Sequence, residues 1–375
     1  MDIAILTTAL SVNYGAALQA FALVESIRKM GHVPYNINYN DPNRIIGSMS
    51  SRKRIIHAVW KVLVDLLTFG KKERRFIEFQ NTYLSLTDKR LKSSDQLKEL
   101  AGAYDLFVAG SDQIWNPGFF VYDLSYYFDF LPENTRRISY ASSFGKAEFG
   151  SEEYKDQCAA LLSRFQYISV REQSGVEIVR DLCGKKAEWV LDPTVLLDET
   201  EWMKLAGVAE KTEDIILCYT MPGDKRVTDS IETIAKQLSE KTGLPIIRLG
   251  NKEYDVFKYG RKSCDITAGP IEFVQYFLKA KYVITNSFHG TALSIDFGKN
   301  LLIPINDSLE SNTALHERLI SIVKLFGAEA AIVKTSELNG SVDTDRHKIP
   351  YREVSEKLVE ERKRSLDFLR RAIGA

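Results

Sequence analysis

The sequence predicts an α/β protein made of two successive doubly wound halves with a long helix at the C-terminal end. Strand-length apolar runs alternate with apolar stripes at helical spacing, the pattern of β-α-β units and parallel sheets. That pattern runs from Ile3 to Leu191, breaks at Asp192-Pro193 and the polar stretch Asp198 to Asp214, and starts again at Ile215. At 375 residues the chain also exceeds the roughly 250 to 300 residues at which single cores stop growing, so two domains are expected. The expected divisions are 1–195, 196–350 and a final helix over 351–375 that crosses back onto the first domain.

The first half opens with a strand at Ile3 to Leu6 and turn residues at Asn13 to Gly15. A helix bearing Ala17, Leu18, Phe21, Leu23, Val24 and Ile27 follows, and Gly31 ends it. Pro34 to Tyr39 alternates like the next strand. Gly15 is the one glycine between first strand and helix, so the spaced triplet of dinucleotide sites is missing and no nicotinamide or flavin cofactor is expected. Asn13 and Tyr14 either face a ligand or form a plain turn. Arg52-Lys53-Arg54 opens an apolar stripe through Ile55, Ile56, Val59, Trp60, Leu63, Leu66 and Leu67, with Lys71, Lys72, Arg74 and Arg75 beyond it. Such a helix either lies on an anionic membrane surface or packs on its own sheet with solvated basic ends.

Leu106 to Ala109 reads as a strand that delivers Gly110-Ser111-Asp112-Gln113 at its carboxyl end, where ligands of open α/β sheets collect. Asp112 there is a candidate base or sugar-hydroxyl acceptor, or else a cap, and Trp115 a candidate sugar-stacking face. The aromatic run Val121 to Phe130 reads as core and cleft wall. Ile138 to Ala141 and Tyr167 to Val170 are further strands, the second ending at Arg171. A guanidinium at that position binds carboxylate or phosphate bidentately, or pairs with Glu172. Glu188 to Leu191 closes the half.

In the second half, strands at Ile215 to Tyr219, Pro245 to Leu249, Tyr282 to Thr285, Leu301 to Ile305 and Ala331 to Val333 alternate with helical stripes at Ile231 to Leu238 and Ile271 to Leu278. Its centre is Tyr282 to Ser294: a strand, the turn formers Asn286 and Ser287, then His289-Gly290, with Thr291 expected to cap a helix. Helix N-termini attract anions, so His289 stands where an anionic substrate would lie.

Lys plus Arg and Asp plus Glu both number 50, so no global field favours nucleic acid or an acidic polymer. Cys158, Cys183, Cys218 and Cys264 lack metal-type or paired spacing and read as reduced thiols, and no metal site is expected. The start lacks a signal-peptide pattern and no run of about 18 apolar residues follows, so a cytoplasmic protein is expected, at the inner face of the membrane if the Arg52 helix touches lipid.

Six segments resemble those of the polysaccharide pyruvyl transferase family, in the same order. They are Asn13 to Gln19 (Asn-Tyr-Gly-Ala-x-Leu-Gln), Gly110 to Asn116 (Gly-Ser-Asp-Gln-x-Trp-Asn), Tyr140 to Gly145, Ser169 to Glu172, Leu191 to Thr194 and the Ser287-Phe288-His289-Gly290 turn. Two α/β halves in succession also resemble the GT-B architecture, two Rossmann-like domains facing across a cleft. The family resemblance implies transfer of pyruvate from phosphoenolpyruvate to a nucleotide-linked or lipid-linked sugar of a surface polysaccharide, giving a cyclic ketal without a cofactor. It implies His289 and Asp112 as catalytic residues and Arg171, Ser287, Gly290, Thr291 and Arg318 at the donor, with the C-terminal domain as the donor side and the N-terminal domain as the acceptor side. Asn13, Tyr14, Gln113 and Trp115 would meet the acceptor. Members often carry arginine two residues before the histidine, where this chain has Ser287; Arg318 is the candidate replacement, with Lys146 and Arg248 behind it. Two other readings stand beside this one: a GT-B glycosyltransferase using a nucleotide sugar, and a catalytically silent sugar- or anion-binding homologue.

Overall fold

The computed structural model describes residues 1–40, 70–118, 123–145, 148–249, 258–260, 262–307, 314–338 and 342–374, with backbone alone for 314–316. The basic stretch from Arg52, part of the aromatic run at 121–122, and Lys146 lie outside these residues. Two compact units emerge, one of residues 1–40, 76–197 and 361–374 and the other of 70–75 and 198–360.

In the first unit β1 (Asp2–Leu6), β2 (Val33–Asn36), β3 (Leu106–Ala109) and β4 (Arg137–Ser139) form a parallel sheet in the order β2-β1-β3-β4. The parallel pair β5 (Ser169–Val170) and β6 (Glu188–Trp189) continues it through single bridges, Ile138 to Tyr167 and Ser142 to Val170. Ile3, Ala4, Ile5 and Leu6 are fully buried, as a strand covered on both faces requires. The second strand is shorter than Pro34 to Tyr39, because from Asn36 onward the backbone bonds to the 85–91 segment: Asn36 N–H to Ser85 O, and Leu91 N–H to Asn38 O. Helix α1 (Tyr14–Lys29) begins where the Asn13 side chain accepts from Ala16 N–H at 3.1 Å, and it is buried on nearly every side. α2 (Lys71–Tyr83) sends Phe76 against Tyr14 and Phe79 against Phe21; α3 (Glu152–Leu162) and α4 (Gln173–Cys183) complete the unit's cover. Tyr126, Tyr127, Phe128 and Phe130 of the aromatic run are core. Strand order reverses between β1 and β3, the place where such sheets hold ligands.

The second unit is a six-stranded parallel sheet of β7 (Ile215–Tyr219), β8 (Ile246–Leu249), β9 (Cys264–Asp265), β10 (Ala280–Thr285), β11 (Asn300–Ile305) and β12 (Ile332–Lys334). Its order, β12-β11-β10-β7-β8-β9, is that of the dinucleotide-type doubly wound sheet, with the reversal between β7 and β10. Helices α5 (Glu199–Ala206), α6 (Lys225–Thr242), α7 (Pro270–Lys279), α8 (Phe288–Asp296) and α9 (Ala314–Phe326) cover it. Ile231, Ile234, Ala235 and Leu238 of α6 pack with Ile216, Ile284 and Leu302 from the strands.

Helix α10 (Tyr351–Gly374) belongs to the second unit as far as Glu360 and to the first from Glu361. In the first unit its Ser365 hydroxyl accepts from Leu191 N–H (3.0 Å), Arg362 donates to Val195 O (2.7 Å), and Phe368 meets Tyr140 and Tyr167. All four cysteines are free; burial raises the Cys158 thiol to about 11 and Cys218 to about 12, which keeps both protonated and unreactive. Among the described residues no helix is long and apolar enough to cross a membrane.

Candidate functional site at two strand-order reversals

The end of β10 is fastened to the end of β7 before α8 begins. Thr285 donates its hydroxyl to Tyr219 O at 2.6 Å and accepts from Ser287 N–H at 3.0 Å. Asn286 acts as a strand extension, donating to Met221 O (3.1 Å) and accepting from Met221 N–H (2.7 Å). Ser287, in extended backbone, is the N-cap: its hydroxyl accepts from Gly290 N–H at 3.3 Å. Thr291 is therefore not the cap. It lies inside the first turn, fully buried, and the helix starts four residues earlier than its sequence suggested. A small N-cap serine fits because its oxygen reaches back to an N–H that the helix leaves unpaired.

This corrected start places His289 on the first turn of α8. Every residue from Val283 to Ile295 is buried except His289. Its imidazole is thus part-buried, with Nε2 inside, at a helix N-terminus and a strand-order reversal, where N–H dipoles favour an anion. Gly290 is there for packing: a Cβ would stand 2.8 Å from Thr285 Oγ1 and 3.2 Å from Tyr219 Cδ1. Arg318 lies on α9, part-buried, in a helix packed on α8.

The β1/β3 reversal of the first unit carries the second group. Asp112 follows β3 with φ at 73°, a left-handed conformation that aspartate tolerates better than most side chains. Its carboxylate accepts from the Thr8 hydroxyl at 2.9 Å and lies 3.8 Å from Arg171 Nη1. The Arg171 side chain is 1% exposed and meets two more carboxylates, Asp192 at 3.0 Å and Glu172 at 3.1 Å. Burial disfavours its charge, yet Glu172, Asp192 and Asp112 together outweigh burial and hold the guanidinium protonated well above its usual range. The ion pair with Glu172 weighed from sequence is present, inside a cluster of one cation and three acids. Asp192 is further satisfied by the Ser111 hydroxyl (2.9 Å) and by Thr194 N–H and hydroxyl (3.0 and 2.7 Å).

The remaining expected residues divide by burial. Asn13 is exposed and caps α1, while Tyr14 is buried against Phe76. Gln113 is part-exposed and accepts from Asn116 at 2.8 Å. Trp115 does not offer a sugar-stacking face. It is 1% exposed, stacks on Tyr127 with centroids 5.5 Å apart, and donates its indole N–H to Tyr126 O. Its ring faces are consumed by the aromatic core. Arg248 is likewise committed, bonded through Nε and Nη2 to Glu232 and lying over the Tyr259 ring. Sequence reasoning missed Thr7, Thr8 and Gln19. The signal available was a pair of threonines at a strand end and a glutamine in the Asn13 to Gln19 segment.

The family model described as Polysaccharide pyruvyl transferase matches residues 13–306. No curated protein matches the chain significantly. Among solved structures, the UDP-GlcNAc 2-epimerase of Methanocaldococcus jannaschii in complex with UDP-GlcNAc and UDP is similar. It is 12% identical with a TM-score of 0.50, over 96% of this chain and 93% of that one. The UDP-GlcNAc 2-epimerase of Neisseria meningitidis bound to UDP-GlcNAc is 10% identical at TM-score 0.49, over 96% of this chain and 100% of that one. The first of these likenesses agrees with the two parallel sheets and final helix, a GT-B-like fold. The family match runs from the Asn13 cap to the end of β11 and takes in β3 with Asp112 and the whole β7/β10 reversal, and on it the chain belongs to the polysaccharide pyruvyl transferase family.

Proposed function

We propose that the protein transfers pyruvate from phosphoenolpyruvate to two hydroxyls of a nucleotide-linked or lipid-linked sugar, forming a cyclic ketal for a surface polysaccharide. The observation that carries this is His289, the single residue not fully buried in the strand-turn-helix from Val283 to Ile295 at the β7/β10 reversal. His289 gives a proton to the donor's methylene carbon, and the adjoining carbon becomes electrophilic. One acceptor oxygen bonds to that carbon while Asp112 takes its proton. The carbon–oxygen bond to phosphate then breaks, and the second acceptor oxygen closes the ketal. The two hydroxyl protons end, through the side chains, one on the new methyl group and one on the departing phosphate, so no redox partner enters.

The start of α8, with Ser287, His289, Gly290 and Thr291, takes the donor's anionic end, with Arg318, on the helix packed against α8, as the cation it enlists. Arg171 sits beside Asp112, and its charge is already matched by acids, so its first task is to keep that carboxylate placed. Asn13 and Gln113 contribute to the acceptor side. Phosphoenolpyruvate and activated sugars meet in the cytoplasm, where the reaction is placed. Calorimetric titration with phosphoenolpyruvate tests the proposal: saturable binding that His289→Ala weakens about tenfold or more supports it. Absence of donor binding, together with turnover of a nucleotide sugar as glycosyl donor, would instead favour a glycosyltransferase.

A further inference from the structure

Resting on the proposed role of Asp112 as base, we infer that Thr8 is the positioning residue that selects which carboxylate oxygen of Asp112 takes the acceptor's proton. Thr7 and Thr8 lie in the bend after β1 and send their hydroxyls to two different points of the segment after β3. Thr7 turns inward: its hydroxyl donates to Ser111 O (2.8 Å) and accepts from buried Gln19 (2.9 Å). Gly110 makes this approach possible, since a Cβ there would stand 2.9 Å from Thr7 Cβ. The ends of β1 and β3 are thereby held together from inside, and Thr8 has a fixed origin from which to reach Asp112.

Thr8 itself is part-exposed, and its hydroxyl donates to Asp112 Oδ2. Arg171 Nη1 approaches the other oxygen, Oδ1, at 3.8 Å, beyond hydrogen-bond range. Oδ2 is therefore occupied by a donor, and Oδ1 is left as the stronger proton acceptor. Arg171 is itself held by donating to Asp192 Oδ2, which also accepts from the Ser111 hydroxyl just after β3, so the cation beside Asp112 has a fixed place. Without the Thr8 hydroxyl nothing on β1 fixes the plane of the carboxylate.

The test measures phosphate release from phosphoenolpyruvate with a mixture of UDP-hexoses as acceptors, for the parent, Thr8→Val, Thr8→Ser and Asp112→Asn. Valine keeps the shape and removes the hydroxyl. Thr8→Val is expected to lower kcat about tenfold to a hundredfold with KM for phosphoenolpyruvate within about twofold, and Thr8→Ser to recover most of the loss. Urea midpoints unchanged from the parent establish that the fold is intact. A silent parent overturns the function and this inference with it; an active Asp112→Asn overturns the base assignment. If the parent is active and Asp112→Asn silent, a Thr8→Val enzyme equal to the parent overturns the role of Thr8 alone, as does a loss that serine fails to restore.

Discussion

Replacing Gly290 with alanine tests the packing that sets His289. The added Cβ would stand 2.8 Å from Thr285 Oγ1, 3.2 Å from Thr285 Cγ2 and 3.2 Å from Tyr219 Cδ1, where ordinary contacts begin near 3.4 Å. Thr285 cannot rotate away cheaply, because its hydroxyl holds both Tyr219 O and Ser287 N–H. Helix α8 must therefore lift by about 0.5 Å, at an overpacking cost of about 1 to 3 kcal/mol. Better helix propensity returns about 1 kcal/mol, so a net loss of about 0 to 2 kcal/mol is expected. His289 precedes the altered residue and moves with the helix, so phosphoenolpyruvate affinity should fall about tenfold, beyond what stability alone accounts for. Urea unfolding and calorimetric titration read the two effects. Gly223→Ala is the control, since nothing lies within 4 Å of its Cβ position. A Gly290→Ala protein as stable as the parent, with unchanged donor binding, would refute the close approach as the feature that positions the imidazole.

Arg171→Leu leaves three carboxylates around a buried site without their cation and should cost about 3 to 5 kcal/mol by urea unfolding; a loss below about 1 kcal/mol would mean the cluster is not a structural unit. Ser287→Ala removes the α8 cap and should cost about 1 kcal/mol in the same assay, while Thr291→Val, at a residue that is not the cap, should not show a capping loss. Stability should also fall above about pH 10. Burial holds the Tyr127, Tyr140 and Tyr219 phenols above their ordinary range, so the folded chain keeps protons that the unfolded chain releases. Their contribution is complete below about pH 10 and declines as pH climbs toward the folded values, by up to about 1.4 kcal/mol per pH unit for each phenol. Urea midpoints from about pH 8 to pH 11, read beside phenolate absorbance, check this; a flat midpoint through that window contradicts it.

The alternation of strands and helices could be read from the chain because each period is local: Ile3 to Leu6 and Ile215 to Tyr219 carry their own apolar signal. Strand order could not, since the neighbours of β1 and β7 are chosen by contacts a hundred or sixty residues away. The reversal points, at which Asp112 and His289 lie, emerge only from that pairing. Trp115 shows a second limit. An aromatic residue in a motif carries the same letter whether its ring is exposed or stacked, and Tyr127 and Phe144 decide the matter here. Thr8 shows a third, because a threonine at a strand end is ordinary until its hydroxyl is found on Asp112.

Serine in place of the arginine often found two residues before the histidine follows from the same local physics. The side chain at 287 caps a helix, and a cap must accept a hydrogen bond from Gly290 N–H. Arginine has five donors and no acceptor, so it can supply charge at this position but cannot close the helix start. Serine does the reverse. It fixes the first turn of α8 and so the direction of His289, while leaving the attraction of an anion to backbone dipoles, the imidazole and whatever cation approaches from elsewhere. Dipoles at a helix start act over about one turn and contribute about 0.3 to 1 kcal/mol, less than a guanidinium in direct contact. Under the proposed function, donor binding by this chain therefore depends more on the exact seating of α8 than it would with arginine at 287, which is why the close contact at Gly290 is the sharper place to perturb it.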